Sequence, residues 1–313
     1  MSLSSAMNNA FSGLTATSRS AEVVSNNISN VMTDGFSRRE IEVTSHLLNG
    51  YGSGVTIEGV RRAEDAVATS TRRAMDAVNA HNTTSMNVSN RLASSLGEPG
   101  DAGALANLFT SFESAITAAA GDPSSNSMQL DVVAKANALT REFNSISANN
   151  AQIRVEADTE IGRQVDALND ALGKIHDLNI EIRSRINGSG DVNALQDTRQ
   201  KLIDDIGQIV PVNVVKREHG QVALFTPAGG TLLDGRATTF DFSPTGTITH
   251  AMTLGLGSLS GLDVNGTPTP VGSGIGFFDG GSLEALFNTR DVDVPAFNAQ
   301  VDALARDLVE RFQ

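Results

Sequence analysis

The chain has 313 residues, a formal net charge of −13, no cysteine, no tryptophan and a single tyrosine. That length allows two or three domains with a substantial buried core. No basic run exceeds two residues, which argues against nucleic acid or an anionic membrane as partner, and the absence of Cys excludes disulfides, thiolate catalysis and sulfur-ligated metals.

Positions Leu3, Met7, Ala10, Leu14, Thr17, Ala21, Val24, Ile28 and Val31 alternate steps of four and three, and only Thr17 is polar. This recurrence predicts a helix carrying a narrow apolar stripe suited to packing against another helix. The first cation is Arg19 and no apolar run follows it, so no cleavable leader is expected, and nowhere do about 18 uninterrupted apolar residues suggest a membrane span. Asn26, Asn27 and Asn30 read as helix-end polar groups. From Phe36 to Val60 the helical period fails, and alternating Ile41 and Val43, then Val55 and Ile57 beyond a Gly-rich stretch, predict a β-hairpin or a pair of extended segments.

Helical composition resumes near Ala63 and runs to about Leu96, where Gly97-Glu98-Pro99-Gly100 breaks it. Leu105, Leu108, Phe109, Phe112 and Ile116 predict a second amphipathic helix, stopped at Gly121-Asp122-Pro123. The longest regular pattern follows, from Val132 through Leu139, Ile146, Ile153, Ile161, Leu168 and Ile175 to Ile186. As one helix it spans on the order of 80 Å at about 1.5 Å per residue. Extra four-residue steps near Ala157 relax its supercoil. Gly162 and Gly173 each cost about 1 kcal/mol and mark places where it could break. A further helix, about Asn193 to Ile209, ends at Pro211. Short β-like runs then occupy residues 212–278, including Val222–Phe225, Thr231–Leu233 and Thr238–Phe242. Helix returns at Gly281 to Asn288 and again from about Pro295, with Phe297, Val301, Leu304, Leu308 and Phe312 on one face.

No catalytic, cofactor or metal site is read from these patterns. The five histidines show no ligand spacing, no Ser has Gly at both −2 and +2, and Gly272-Ser273-Gly274-Ile275-Gly276 lacks the dinucleotide-binding spacing. Asp204-Asp205 reads as a solvated helix face. The Asn-x-Ser/Thr tripeptides at Asn27, Asn82, Asn87, Asn187 and Asn265 read as chance matches in an Asn-rich chain.

Ser25-Asn26-Asn27-Ile28-Ser29-Asn30, followed by Thr33-Asp34-Gly35-Phe36-Ser37-Arg38-Arg39, resembles the N-terminal signature of bacterial flagellar axial proteins. Asp34, Phe36 and Arg39 depart from residues usual there, the first two keeping a turn former and an aromatic ring. Gln196–Leu202 and Gly280–Leu286 with Arg290-Asp291 are similar to segments of the hook-associated protein 1 family, the FlgK family of hook–filament junction proteins. The resemblance implies an α+β fold, elongated and multi-domain, in which long α-helices in a coiled coil or bundle carry an inserted β-rich domain. It divides the chain into an N-terminal heptad helix (1–35), a mostly helical domain (36–211 plus 280–313) and an outward β domain (212–279).

The same resemblance implies a non-enzymatic structural subunit, exported without a cleaved signal to the extracellular flagellum. Its implied partners are the hook protein, hook-associated protein 3, further copies of itself and an export chaperone, with no nucleic acid, no membrane insertion and no cofactor. Leu3, Met7, Leu14, Val24, Ile28 and Val31 are the expected assembly seam. Asn26, Asn27, Asn30, Gly35, Phe36, Ser37 and Arg38 carry the family motif. Family members continue into a C-terminal heptad helix that pairs with the N-terminal one. No such helix is present in this sequence, so 1–35 is expected to be mobile or held by another copy. Two alternatives are a rod or hook subunit, which the long helices of 127–209 oppose, and a secreted adhesin or binding module. An enzyme with an acidic cleft is a third, more remote reading.

Overall fold

The computed structural model describes residues 3–48, 51–98, 100–188, 191–271 and 277–312. The expected hairpin turn at Asn49-Gly50, the breaks at Pro99 and Ser189-Gly190, and the Gly272–Gly276 stretch lie outside the described residues. The architecture is α+β, dominated by long helices with small antiparallel sheets.

Helix α1 (Leu3–Ser29) precedes a hairpin of β1 (Arg39–Leu48) and β2 (Tyr51–Arg62), whose register pairs Ile41 with Val60 and Val43 with Ile57. Two irregularities in that ladder, one at Glu42/Val43 and one between Ser45 and Leu47, add local twist. Helix α1 stops two residues short of the expected stripe, so Val31 lies in the turn that follows. The Asn30 amide there bonds the Asn26 carbonyl (3.0 Å), a side-chain competition that ends helices. Helix α2 (Ala66–Ser95) is started by Asp65, whose carboxylate accepts from Val67 N and Ala68 N at 3.0 Å each. Helix α3 (Leu105–Gly121) ends ahead of Pro123, as the apolar spacing predicts.

The spine is α4 (Asn126–Asn187), one unbroken helix of 62 residues, about 93 Å long at 1.5 Å per residue. It runs through both glycines. At Gly162 the reason is close packing, since a Cβ there would sit 2.8 Å from Pro244 Cγ. The expected inward positions are buried, including Leu139, Ile146, Ile153, Ala157, Ile161, Val165, Leu168, Leu172, Ile175 and Ile182.

Those positions serve two hydrophobic cores. The N-terminal half of α4 packs with α3 and with α7 (Val294–Arg311) around Leu105, Phe112, Leu139, Ile146 and Val301. The C-terminal half packs with α5 (Asn193–Ile209), α6 (Gly281–Asn288) and the strands of 213–269. Leu92, Ile153 and Val294 join α2, α4 and α7 between the two.

The strands form two meanders. One sheet has the order β3 (Asn213–Lys216), β4 (Val222–Phe225), β5 (Thr231–Asp234), β6 (Arg236–Ala237); the other has β7 (Phe240–Asp241), β8 (Leu262–Val264), β9 (Thr267–Thr269). The predicted single run Thr238–Phe242 is divided between them. Thr238 Oγ1 donates back to Thr231 O (2.7 Å), while Thr239 N donates to Asn265 Oδ1 (3.1 Å), so the chain changes sheets at that point. Inward residues of both sheets (Leu224, Leu233, Phe240, Leu262) share one core with Leu168 and Leu172 of α4.

Helix α6 begins at Gly281, where φ is +81° and a Cβ would overlap the Ile209 carbonyl, so glycine is required there. Instead of breaking before Pro295, α6 passes through a wide π-type turn, Thr289–Asp293, directly into α7. Pro295 follows that turn, in the first turn of α7, where its fixed φ suits the helix.

Candidate assembly interface

The N-terminal helix presents two different faces. Its polar face lies along the hairpin: Ser12 Oγ accepts from Val55 N (3.2 Å), Asn9 Nδ2 approaches Gly52 O (3.4 Å), and Val23 is buried. Gly54, at φ +91°, permits this approach because a Cβ would collide with Ser12. The apolar stripe points away. Leu3 is 87% exposed, Leu14 66%, Ile28 68% and Val31 74%, and Met7 and Val24 are also exposed. Phe11 and Met32, which the heptad spacing does not select, widen the patch. Burying a side chain of this size contributes about 1.5–3 kcal/mol, so a run of six left in water is a large unrealised stabilisation. Patches of this kind mark protein–protein contact.

The block after the helix, which carries the family motif, is an attachment joint. Asn27 extends its amide to the hairpin, Nδ2 donating to Arg39 O (2.9 Å) and Oδ1 accepting from Arg39 N (2.8 Å). It therefore acts as a short piece of strand, in place of the helix-end role expected for it; Asn30 takes such a role, its amide bonding the Asn26 carbonyl. Gly35, at φ +78°, turns the chain against the Lys201 side chain. Phe36 lies under the Arg39 guanidinium, 4.9 Å from ring centre, and Ser37 Oγ accepts from Arg62 (2.9 Å). Arg38 faces solvent beside Glu40 at 2.5 Å.

The joint closes on α5. Asp197 receives Arg39 on one oxygen and Arg62 Nε on the other (2.8 Å), and all three side chains are nearly buried. Asn193 Nδ2 donates to Val60 O at 2.8 Å, and Lys201 pairs with Asp34. Lys201 holds the Asp34 carboxyl below its usual range, and Asp34 raises Lys201 in return. Asp34 has the depressed folded-state value, so its contribution is present above the ordinary carboxylate range and is lost as pH falls through the lowered one. Arg39, Arg62, Asn193, Asp197 and Lys201 were not selected from the sequence. The available signal was the opposite charge of two separately noted blocks, Arg38-Arg39 and Gln196–Leu202.

Removing Asp197 leaves two cations desolvated without a counter-charge, a loss of about 3–5 kcal/mol. Asp197→Ala is expected to speed amide exchange across residues 39–62 while 161–175 stays protected. Unchanged exchange in the hairpin would refute the joint, and equal acceleration in both regions would refute its local character.

Residues 89–313 match the family described as flagellar hook-associated protein FlgK helical domain, and residues 7–36 match the flagella basal body rod protein family. Flagellar hook-associated protein 1 of Salmonella typhimurium is 29% identical over 243 residues, covering 74% of this chain and 43% of that protein. The protein of the same name from Escherichia coli is 29% identical over 245 residues (74% and 44%), and that from Bacillus subtilis 24% over 250 residues (71% and 49%). The chain thus spans less than half the length of these curated relatives. In fold it is similar to the flagellar hook junction protein FlgK from Burkholderia pseudomallei, with a TM-score of 0.52 at 20% identity over 71% of this chain and 38% of the other.

Proposed function

This chain belongs to the family of the flagellar hook-associated protein FlgK, and from that premise we propose that it is a structural subunit joining hook to filament in the bacterial flagellum. The observation that carries the reading is the water-exposed apolar stripe of α1, on the segment that matches the rod-protein family. A helix so marked packs against other helices of an axial assembly, and the joint at Asp197 sets its direction relative to the helical body. The seam comprises Leu3, Met7, Leu14, Val24, Ile28 and Val31, with Phe11 beside it. The partners are hook protein on one side, hook-associated protein 3 on the other, and further copies of the chain laterally. An export chaperone serves the full-length protein before export, and the exported protein takes an extracellular position.

Its role is mechanical. The two cores on one spine, 1–35 as assembly helix, 36–211 with 280–313 as helical domain and 212–279 as β insert support a stiff adaptor without catalysis. Deleting the gene is expected to leave complete hooks without filaments and to release flagellin into the medium, as seen by electron microscopy and immunoblot. Normal filaments would reject the junction role, and absence of hooks would move the protein to the rod or hook.

A further inference from the structure

The hairpin has two outer edges, and only one of them is closed. Arg38 O accepts from Ala63 N (2.8 Å), which sets the alternation of the ladder. Even-numbered residues of β1 turn their main-chain groups toward β2, and odd-numbered ones turn theirs outward. On the β2 side the outward groups are in use: Val60 O accepts from Asn193, Val55 N donates to Ser12, and Asn9 reaches Gly52 O. On the β1 side Asn27 takes both main-chain groups of Arg39, and the filling stops there. The outward N–H and C=O of Ile41, Val43 and Ser45 meet no protein group among the described residues, and residues 42–47 are all exposed.

An open edge offers unpaired backbone to another strand, and proline, lysine or a bulge ordinarily blunts it. Strand β1 has neither proline nor lysine, and the extra residue at the first irregularity of the ladder, Glu58, belongs to β2. The strand is also complementary to itself. Laid antiparallel to a second β1 and centred on Thr44, it sets Ile41 opposite Leu47, Val43 opposite Ser45 and Glu42 opposite His46, each pair twice. Apolar, polar and oppositely charged cross-strand pairs of this kind stabilise an antiparallel sheet. Glu42 and His46 have no other partner among the described residues. Other registers fit less well. Centring on Glu42 sets that carboxylate against its copy and brings Ser45 opposite Arg39, whose main chain Asn27 holds. Centring on Val43 sets His46 opposite Glu40, which already pairs with Arg38 and Arg61.

We propose that the outer edge of β1 docks a second copy of this chain, the two β1 strands joining antiparallel about Thr44 so that two hairpins form one four-stranded sheet. The contact is isologous, the same strand on both copies. It belongs to the free chain and is distinct from the proposed junction contacts, which have different partners at the two ends.

Sedimentation velocity of the whole 313-residue chain over a dilution series is expected to show a reversible monomer–dimer equilibrium. Val43→Pro removes an outward N–H and spares the β1–β2 ladder, so it is expected to weaken the dimer at least about tenfold with unchanged circular dichroism. His46→Glu sets a second carboxylate against Glu42 and is expected to weaken the dimer too, while the exchange Glu42→His/His46→Glu restores it. The chain has no cysteine, so Thr44→Cys reads the register. The two introduced thiols face each other across a non-hydrogen-bonded pair, with Cα atoms about 4.5 Å apart, and mild oxidation is expected to link the dimer. Leu14→Asp/Ile28→Asp is expected to keep the dimer, since the α1 stripe takes no part in it. A monomer at every concentration, or a Val43→Pro variant that dimerises like the parent, overturns the proposal. A dimer lost in Leu14→Asp/Ile28→Asp but kept in Val43→Pro overturns it in favour of the α1 stripe. Glu42→Cys linking as fast as Thr44→Cys overturns the register.

Discussion

Replacing Leu14 and Ile28 by Asp is expected to abolish incorporation into the flagellum while leaving the thermal unfolding of the remaining chain unchanged. Both side chains are two-thirds exposed and belong to neither hydrophobic core, so the cost to the isolated fold stays within about 0.5 kcal/mol. In an assembled seam the arithmetic is different. Each lost apolar contact removes about 1.5–3 kcal/mol, and each carboxylate placed there adds a desolvation penalty of several kcal/mol. The sum exceeds about 6 kcal/mol per interface, more than four orders of magnitude in affinity. Complementation of the deletion strain, scored for filaments, reads the effect directly. Thr15→Asp, on the same helix, exposed and outside the stripe, is the control and is expected to complement. A double variant that still builds filaments would show that the seam lies elsewhere.

The second large effect is expected in the interior. Arg290 is completely buried, between the rings of Phe242 and Phe287, and bonds Asp158 (2.6 Å), Asp291 (2.8 Å) and the Ser260 carbonyl (2.9 Å). Burial works to lower its pKa, but Asp291 and Asp158 together hold it above the ordinary arginine value. Asp158 also accepts from Thr245 N (2.5 Å), and Arg154 donates to three carbonyls, of Arg290, Thr249 and Met252. These bonds hold the 242–260 segment and the π-type turn onto the middle of α4. The turn in turn directs α7 onto the other core.

Asp158→Ala leaves a buried guanidinium short of a counter-charge and one N–H without an acceptor, so a loss of about 3–5 kcal/mol in urea-unfolding stability is expected. The double variant Asp158→Leu/Arg290→Met removes both charges and is expected to recover part of that loss. A loss below about 1 kcal/mol for the single variant would show that the network adds nothing beyond filling space.

Much of the helical architecture was written in local periodicity. The stripe from Leu139 to Ile182 is buried as spaced, Gly121 and Pro211 end or follow helices where expected, and the β-like runs at 222–225 and 231–234 are strands. Such features depend on which face of an element is apolar, and a single sequence records that completely. The alternation of Ile41 and Val43 likewise marked the hairpin, and the stripe on α1 was legible for the same reason.

What the sequence left open depended on distance along the chain. Whether α4 would break at Gly162 was decided by Pro244, some eighty residues away, which needs the space that glycine leaves. Helix α1 ends at Ser29, not after Val31, because asparagine side chains compete locally for the backbone, and Asn27 spends its amide on Arg39. Asp197 and Arg290 stood in the sequence only as members of family-like segments, with neither burial nor a partner assigned to them. Only folding removed them from water, and a buried charge must find its partner wherever the chain brings one. Apolar burial follows from a residue's own chemistry and its period. Charge pairing follows from contacts between remote segments, which only the tertiary structure decides.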